Sequence, residues 1–266
     1  MDKNRQNTTQ LNNGYTIPLI GLGTYDMDEK SIEASVFSAL MKGYRLIDSA
    51  SMYENEHEVG RAVQRAVKNG QSREDITVVT KIWKTDLGYE KALKAFKKSS
   101  EAMNLEVIDL LLIHWPDKDN EVNIATWKAL EEIYYSGKVK AIGVSNFNEE
   151  QIDYLLKWGD IKPMVNQYSS YPGNSQENLR LFCEKNGIRS MAYSPINRKK
   201  VLTDKDIQFL ADKYQRTPAQ IALRWNIQRG VIPIPKTENL ERMDENLAVF
   251  DFTLSEDEMF LLRSKG

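Results

Sequence analysis

Residues 43–60 read GYRLIDSASMYENEHEVG, and this stretch runs strand, turn, helix. Tyr44, Leu46 and Ile47 make a short apolar run that ends on Asp48. Small residues follow, then Tyr53, and from Glu54 the pattern turns helical. In a parallel α/β fold, side chains meet at strand ends without disturbing the core, so chemistry collects there. Taken alone, the stretch leaves two readings open. Asp48 caps a turn and Tyr53 is a half-buried aromatic, or the two are a carboxylate and a phenol on a functional rim. The second gains weight because two later strands end in Lys81 and His114.

Outward from residues 43–60 the same unit repeats. Strands are expected at 18–23, 45–48, 76–83, 108–115, 139–145, 164–168, 188–193 and 231–235. Helices are expected at 31–42, 56–68, 89–103, 123–136, 149–158, 176–186 and 218–229, with a last one at 255–263. Near-continuous apolar strands such as DLLLI and ITVV belong to a parallel sheet covered on both faces. Eight units without a linker or a shift in composition predict an α/β chain that forms a single domain over residues 1–266, a (β/α)8 TIM barrel. Ahead of it, residues 8–19 read as a β-hairpin around Asn13-Gly14, a pair suited to a tight two-residue turn, and residues 1–7 as disordered. An open doubly wound sheet is the alternative. Its dinucleotide fingerprint needs a third glycine, which Gly21-Leu22-Gly23-Thr24-Tyr25-Asp26 lacks.

Composition narrows the function classes. A net charge of −2 with interspersed signs gives no basic surface for nucleic acid or an anionic membrane. The single cysteine, Cys183, builds no disulfide framework, which fits a reducing, cytoplasmic setting. No run approaches the ~20 apolar residues of a spanning helix, and no signal peptide is evident. With only His57 and His114 and no HExxH or CxxC spacing, no metal site is expected.

Groups at the same ends of neighbouring barrel strands converge over one mouth, so Asp48, Tyr53, Lys81 and His114 form a set. An ammonium ~4 Å from a phenol, at an effective dielectric of ~20, stabilises the phenolate by ~4 kcal/mol. That is about three pKa units, which would bring the Tyr53 phenol close to neutrality. Asp48 would keep the lysine charged, and a neutral His114 could donate a hydrogen bond to a substrate oxygen.

These residues carry a resemblance. Residues 43–60, the Lys81 and His114 strand ends, GVSNF at 143–147, NQ at 166–167, AYSP at 192–195 and IPKTENLERMDEN at 234–246 are similar, in order, to the aldo-keto reductase family. The match runs from about Leu11 to beyond Asn246, and the chain looks like a short, bacterial-type member. The resemblance implies reduction of small aldehydes or ketones with NADPH, with Tyr53 as proton donor, Lys81 and Asp48 as its tuning pair, and His114 orienting the carbonyl. It implies that Ser145, Asn146 and Gln167 hold the nicotinamide carboxamide over Tyr193, with Gly23 and Thr24 alongside. Ser194 and Ile196 would follow the pyrophosphate. Lys236, Thr237 and Arg242 would grip the 2′-phosphate, with Glu245 and Asn246 near the adenine. Two cations and a hydroxyl within one turn after a strand suit a phosphate, but alone the segment reads more readily as a solvated basic stretch opening a helix, and it is the other motifs that favour the phosphate site.

The chain departs from the family where the substrate would sit. Tyr168-Ser169-Ser170-Tyr171-Pro172 stands in place of a Glu-x-His-Pro sequence, and Ile196-Asn197 in place of Leu-Gly. With a short loop after His114 and an ending at Gly266, the mouth is expected to be open and lined by Tyr25, Trp83 and Trp115. Two other functions fit a barrel with a strand-end lysine: a Schiff-base aldolase, which needs Lys81 neutral, and an NADPH sensor without turnover. The resemblance leans toward a monomer.

Overall fold

A computed structural model describes residues 7–264. The hairpin comprises β1 (Thr8–Gln10) and β2 (Thr16–Pro18), paired antiparallel with Thr9 opposite Ile17. The parallel sheet follows: β3 (Leu22–Gly23), β4 (Leu46–Asp48), β5 (Thr77–Ile82), β6 (Ile108–Ile113), β7 (Val139–Ser145), β8 (Val165–Ser169), β9 (Arg189–Tyr193) and β10 (Ile232–Pro233). These eight strands are hydrogen-bonded in chain order. Gly21 N–H then donates to Pro233 O at 3.0 Å and Gly23 N–H to Pro235 O at 3.1 Å, which joins the first strand to the last and closes the barrel. The two glycines sit on this seam because the chains approach closely there. A Cβ on Gly23 would lie 3.0 Å from Ile234 O, and one on Gly21 would lie 2.6 Å from the Leu46 side chain.

Every residue of β5 and β6 is buried, as strands covered on one face by the barrel interior and on the other by helices must be. The cover is α1 (Ile32–Lys42), α2 (Glu56–Lys68), α3 (Tyr89–Met103), α4 (Asn120–Tyr135), α5 (Glu149–Trp158) and α6 (Glu177–Lys185). It continues with α7 (Arg198–Val201), α8 (Lys205–Tyr214), α9 (Pro218–Gln228), α10 (Leu240–Leu247) and α11 (Glu256–Arg263). Local sequence marks several starts. Asn148 with Gln151, Thr217 with Gln220 and Ser255 with Glu258 each form a capping box, satisfying backbone donors that a helix start leaves open.

The hairpin lies across the N-terminal ends of the strands. Tyr15 OH is 3.2 Å from Thr77 Oγ1 at the start of β5, Asn13 Nδ2 donates to Lys140 O, and Leu11 and Ile17 are buried. With that end sealed, the C-terminal mouth is left for ligands.

Several expected boundaries differ. Pro18 belongs to the hairpin, so the first barrel strand shortens to β3. The hairpin loop spans residues 11–15 and only Gly14 has positive φ, so it is wider than a two-residue Asn-Gly turn. The last strand shortens to β10 because Pro233 and Pro235 have no N–H to give a ladder. Helix α4 starts at Asn120, earlier than expected, because the Asp119 side chain caps it by accepting from Glu121 N. Helices α7 and α8 are not among the expected elements, and α10 corresponds to the helix that the basic stretch after β10 was alternatively read as opening. For α8 the signal was present: Asp204 caps the start, and Ile207, Leu210 and Ala211 form the buried face. The stretch expected to be disordered, residues 1–7, lies outside the described residues except for Asn7, whose carbonyl accepts from Leu19 N–H. Among the described residues, no helix is long and apolar enough to cross a membrane.

Gly60 sets how closely α2 meets α3, since a Cβ there would lie 2.0 Å from Met103 O. Alanine favours an isolated helix by about 1 kcal/mol, while overpacking against fixed backbone costs about 1–3 kcal/mol. The second effect wins, because a backbone oxygen cannot rotate away. Gly60→Ala is expected to lower the urea midpoint by a net loss of up to about 2 kcal/mol at unchanged m-value. An equal or higher midpoint would mean that the two helices separate freely.

Candidate active site

Asp48 ends β4 and Lys81 lies near the end of β5, so adjacent strands deliver a carboxylate and an ammonium to one level of the mouth. Both are buried, Lys81 completely. Lys81 Nζ donates to Asp48 Oδ2 at 2.7 Å and Ser49 O at 2.9 Å, and lies 3.3 Å from Tyr53 OH. All three hydrogens of the ammonium therefore have oxygen acceptors, which a charge withdrawn from water requires. Gln167 on β8 donates from Nε2 to the other oxygen of Asp48 at 2.8 Å. The turn after β4 is pinned as well. Thr24 donates from N–H and Oγ1 to Asp48 O, Asn55 Nδ2 donates to Thr24 O, and Ser49 Oγ donates to Asn55 Oδ1.

His114 follows directly on β6. Its ring lies edge-on to Tyr53, with centroids 5.7 Å apart, and to Trp83, at 4.9 Å. Burial, helped by the positive charge of Lys81, pushes its pKa down to about 3, so the imidazole is neutral. Its buried Nδ1 has no hydrogen-bond partner among the described residues.

For Tyr53 the balance differs from the sequence-based expectation. Burial raises its pKa, Lys81 lowers it and Asp48 raises it again, and the net result is a phenol above its ordinary value rather than near neutrality. An unpaired ammonium would by itself lower the phenol's pKa. In the fold that ammonium is already paired with Asp48, and the phenolate would also lose water. Lys81 behaves in the complementary way. Burial pulls its pKa down, but Asp48 and Tyr53 together outweigh this and raise it. A lysine held as ammonium, with acceptors on all its hydrogens, is a poor Schiff-base nucleophile, which disfavours the aldolase chemistry.

Tyr53, His114, Asp48 and Gln167 line a cleft of ≈ 410 Å³, with Tyr25, Trp83 and Trp115 at its rim. Gly23, Asn146, Tyr193, Ser194 and Lys236 complete much of its wall. Asn146 Nδ2 donates to His114 O and its Oδ1 accepts from Tyr193 OH at 2.9 Å, so one amide ties the imidazole strand to the tyrosine floor. A second cleft of ≈ 490 Å³ holds Ile196, Thr237, Arg242, Glu245 and Asn246 and shares Ser194 and Lys236 with the first. The two clefts adjoin at these shared residues and form a furrow of two parts, with aromatic and amide groups in the first and the cations Lys236 and Arg242 in the second. Thr24 and Ser145 stand apart from the rest of this set. Both are buried behind the wall, their hydroxyls donating to Asp48 O and Gln167 O.

Met52 and Ile234 in the first cleft and Leu202, Thr217, Pro218 and Ala219 in the second are wall residues that the sequence motifs do not mark. For the last three the Thr217-Pro218 start of α9 was a usable signal. Backbone conformation gives a further sign with no sequence signature. Asp26, Glu54, Asn146 and Ser194, beside or within the cleft, have φ of 58°, 55°, 63° and 48°. Such non-glycine residues in the left-handed region store strain that concentrates at working sites. Among the described residues no group of His, Cys, Asp and Glu side chains could hold a metal ion.

The model of the aldo/keto reductase family matches residues 19–266. Glyoxal reductase from Bacillus subtilis (strain 168) is 41% identical over 260 residues, covering 97% of this chain and 92% of that protein. The 9,11-endoperoxide prostaglandin H2 reductase of Trypanosoma cruzi (strain CL Brener) is 42% identical over 257 residues, covering 95% and 89%. Among solved structures, MGS-M4, an aldo-keto reductase enzyme from a Medee basin deep-sea metagenome library, superimposes with a TM-score of 0.92 at 43% identity, covering 97% of this chain and 94% of that one. A Bombyx mori aldo-keto reductase in complex with NADP does so with 0.91 at 35% identity, covering 96% and 91%.

The Asp48–Lys81 pair makes a stability prediction. Lys81→Met leaves a buried carboxylate without its cation and is expected to destabilise the protein by about 3–5 kcal/mol in urea unfolding. Adding Asp48→Leu is expected to recover a large part of that loss. If the double variant is no more stable than Lys81→Met, the penalty comes from packing rather than from an unpaired charge.

Proposed function

The chain belongs to the aldo/keto reductase family and is an oxidoreductase of that family. On that premise we propose that it reduces small aldehydes and ketones to alcohols with NADPH, with Tyr53 as the general acid. The observation that carries the proposal is that Tyr53, backed by the buried Lys81 ammonium 3.3 Å from its hydroxyl, lines one cleft together with a neutral His114.

The furrow suits the cofactor at both ends. Asn146 and Gln167 offer amide groups for a carboxamide, and Tyr193 offers an aromatic face on which a flat ring can rest. Lys236 and Arg242, with the Thr237 hydroxyl, offer charge and hydrogen bonds for a phosphate monoester. When bound, NADPH supplies the hydride. Ser145 and Thr24, which the resemblance also assigns to cofactor binding, act by holding Gln167 and the Asp48 turn in place.

The protein's own groups then account for the proton. Tyr53 keeps its proton at neutral pH because burial raises its pKa, so it can donate to a carbonyl oxygen as charge develops there. The phenolate left behind lies 3.3 Å from the Lys81 ammonium, whose charge Asp48 maintains. His114 can donate one ring N–H to the same oxygen without carrying a charge of its own, fixing the direction of approach. Tyr25, Trp83 and Trp115 give the mouth an apolar rim suited to the carbon side of such substrates.

Tyr53→Phe is expected to reduce carbonyl turnover by ~10²–10⁴-fold while cofactor binding changes little, as read from near-ultraviolet absorbance of the reduced nicotinamide and from a binding titration. Retention of most of the activity would reject the proton-donor role. The pH profile follows from the two shifts. With His114 neutral above about 3 and Tyr53 protonated past its ordinary range, kcat/KM for reduction is expected to stay level from about pH 5 to 9 and to fall only on the alkaline side. A break at the usual histidine pKa that disappears in His114→Gln would contradict a neutral imidazole.

A further inference from the structure

At the cationic end of the furrow, Lys236 already has a partner. Its Nζ lies 2.7 Å from Glu238 Oε1, and Glu238 Oε2 accepts from Ser31 Oγ at 2.5 Å. Ser31 immediately precedes α1, so Glu238 bridges the loop after β10 to the opposite side of the barrel seam. Hydrogen bonds from Lys236 and Ser31 hold the Glu238 carboxyl below its ordinary pKa, and the group is ionised at neutral pH. Arg242, the other cation lining this end, has no carboxylate partner among the described residues. One of the two positive charges is therefore neutralised before any ligand arrives.

Building on the reading of this furrow as an NADPH site, we propose that Glu238 sets cofactor preference: it competes with the adenosine 2′-phosphate for Lys236 and so narrows the margin between NADPH and NADH. A phosphate monoester carries a charge of about −1.5 to −2. To bind, it must either detach Lys236 from Glu238 or share the ammonium with a carboxylate of like sign. The neutral 2′-hydroxyl of NADH meets neither obstacle, and a carboxylate is a good acceptor for such a hydroxyl. Both side chains are only partly buried, so the effect is that of one partly solvated ion pair rather than of a buried one.

The test measures dissociation constants for NADPH and NADH with the whole protein, by quenching of tryptophan fluorescence, since Trp83 and Trp115 line the furrow. Glu238→Gln is expected to tighten NADPH by about fivefold and to move NADH by less than about twofold. Arg242→Ala serves as the comparator and is expected to weaken NADPH selectively. If Glu238→Gln leaves the NADPH-to-NADH ratio where it was, or shifts both equally, the proposal is overturned, even though a selective loss in Arg242→Ala would keep the phosphate site itself. If the unaltered protein binds neither nucleotide, the cofactor reading fails and Glu238 loses its role with it.

Discussion

A lysine ammonium with no access to solvent is the constraint on which the centre of this barrel depends. Removing such a charge from water costs several kcal/mol, and the fold meets that cost only by surrounding Lys81 with acceptors. Asp48, the Ser49 carbonyl and Tyr53 occupy its donors. Those acceptors must in turn be fixed, which brings in Thr24, Asn55 and Gln167. The site is therefore a hydrogen-bonded cluster spanning β4, β5 and β8, and little of it can move independently.

That cluster decides the protonation states on either side of it. The same ammonium lowers the basicity of His114 and partly offsets the burial of Tyr53, so a neutral imidazole and a protonated phenol face one space. Two hydrogen-bond donors flanking a single cleft favour a substrate that gains negative charge on oxygen, as a carbonyl does when its carbon accepts a hydride. The second cleft adjoins this space at Ser194 and Lys236 and carries Arg242, so its polar and cationic wall lies apart from the phenol and the imidazole.

Much of this was legible in the residues, for physical reasons. Strands such as β5 and β6 declare themselves because both faces are buried, and Asp48, Lys81 and His114 stand out because polar groups interrupt apolar runs at the same relative place. What stayed hidden depends on through-space terms. The titration of Tyr53 follows from the pairing of its neighbour with a third group, and the contact of Gln167 with Asp48 crosses from β8 to β4. The glycines of Gly21-Leu22-Gly23 looked like an incomplete nucleotide fingerprint. Their purpose is closure, which depends on Pro233 and Pro235 at the far end of the chain. Helix α8 escaped because its short apolar face lies inside a long connection between β9 and β10.

That seam also orders events during synthesis. Asp48, Tyr53, Lys81 and His114 all lie in the half of the polypeptide that leaves the ribosome first, whereas Ser194, Lys236 and Arg242 belong to the later half. The pairing of Gly21 with Pro233 has to wait for nearly the last segment to emerge, because its partners are far apart along the chain. The contact of Gln167 with Asp48 likewise joins the later half of the chain to the earlier one. Closing the ring and completing the wall around Lys236 and Arg242 therefore draw on the same late segment.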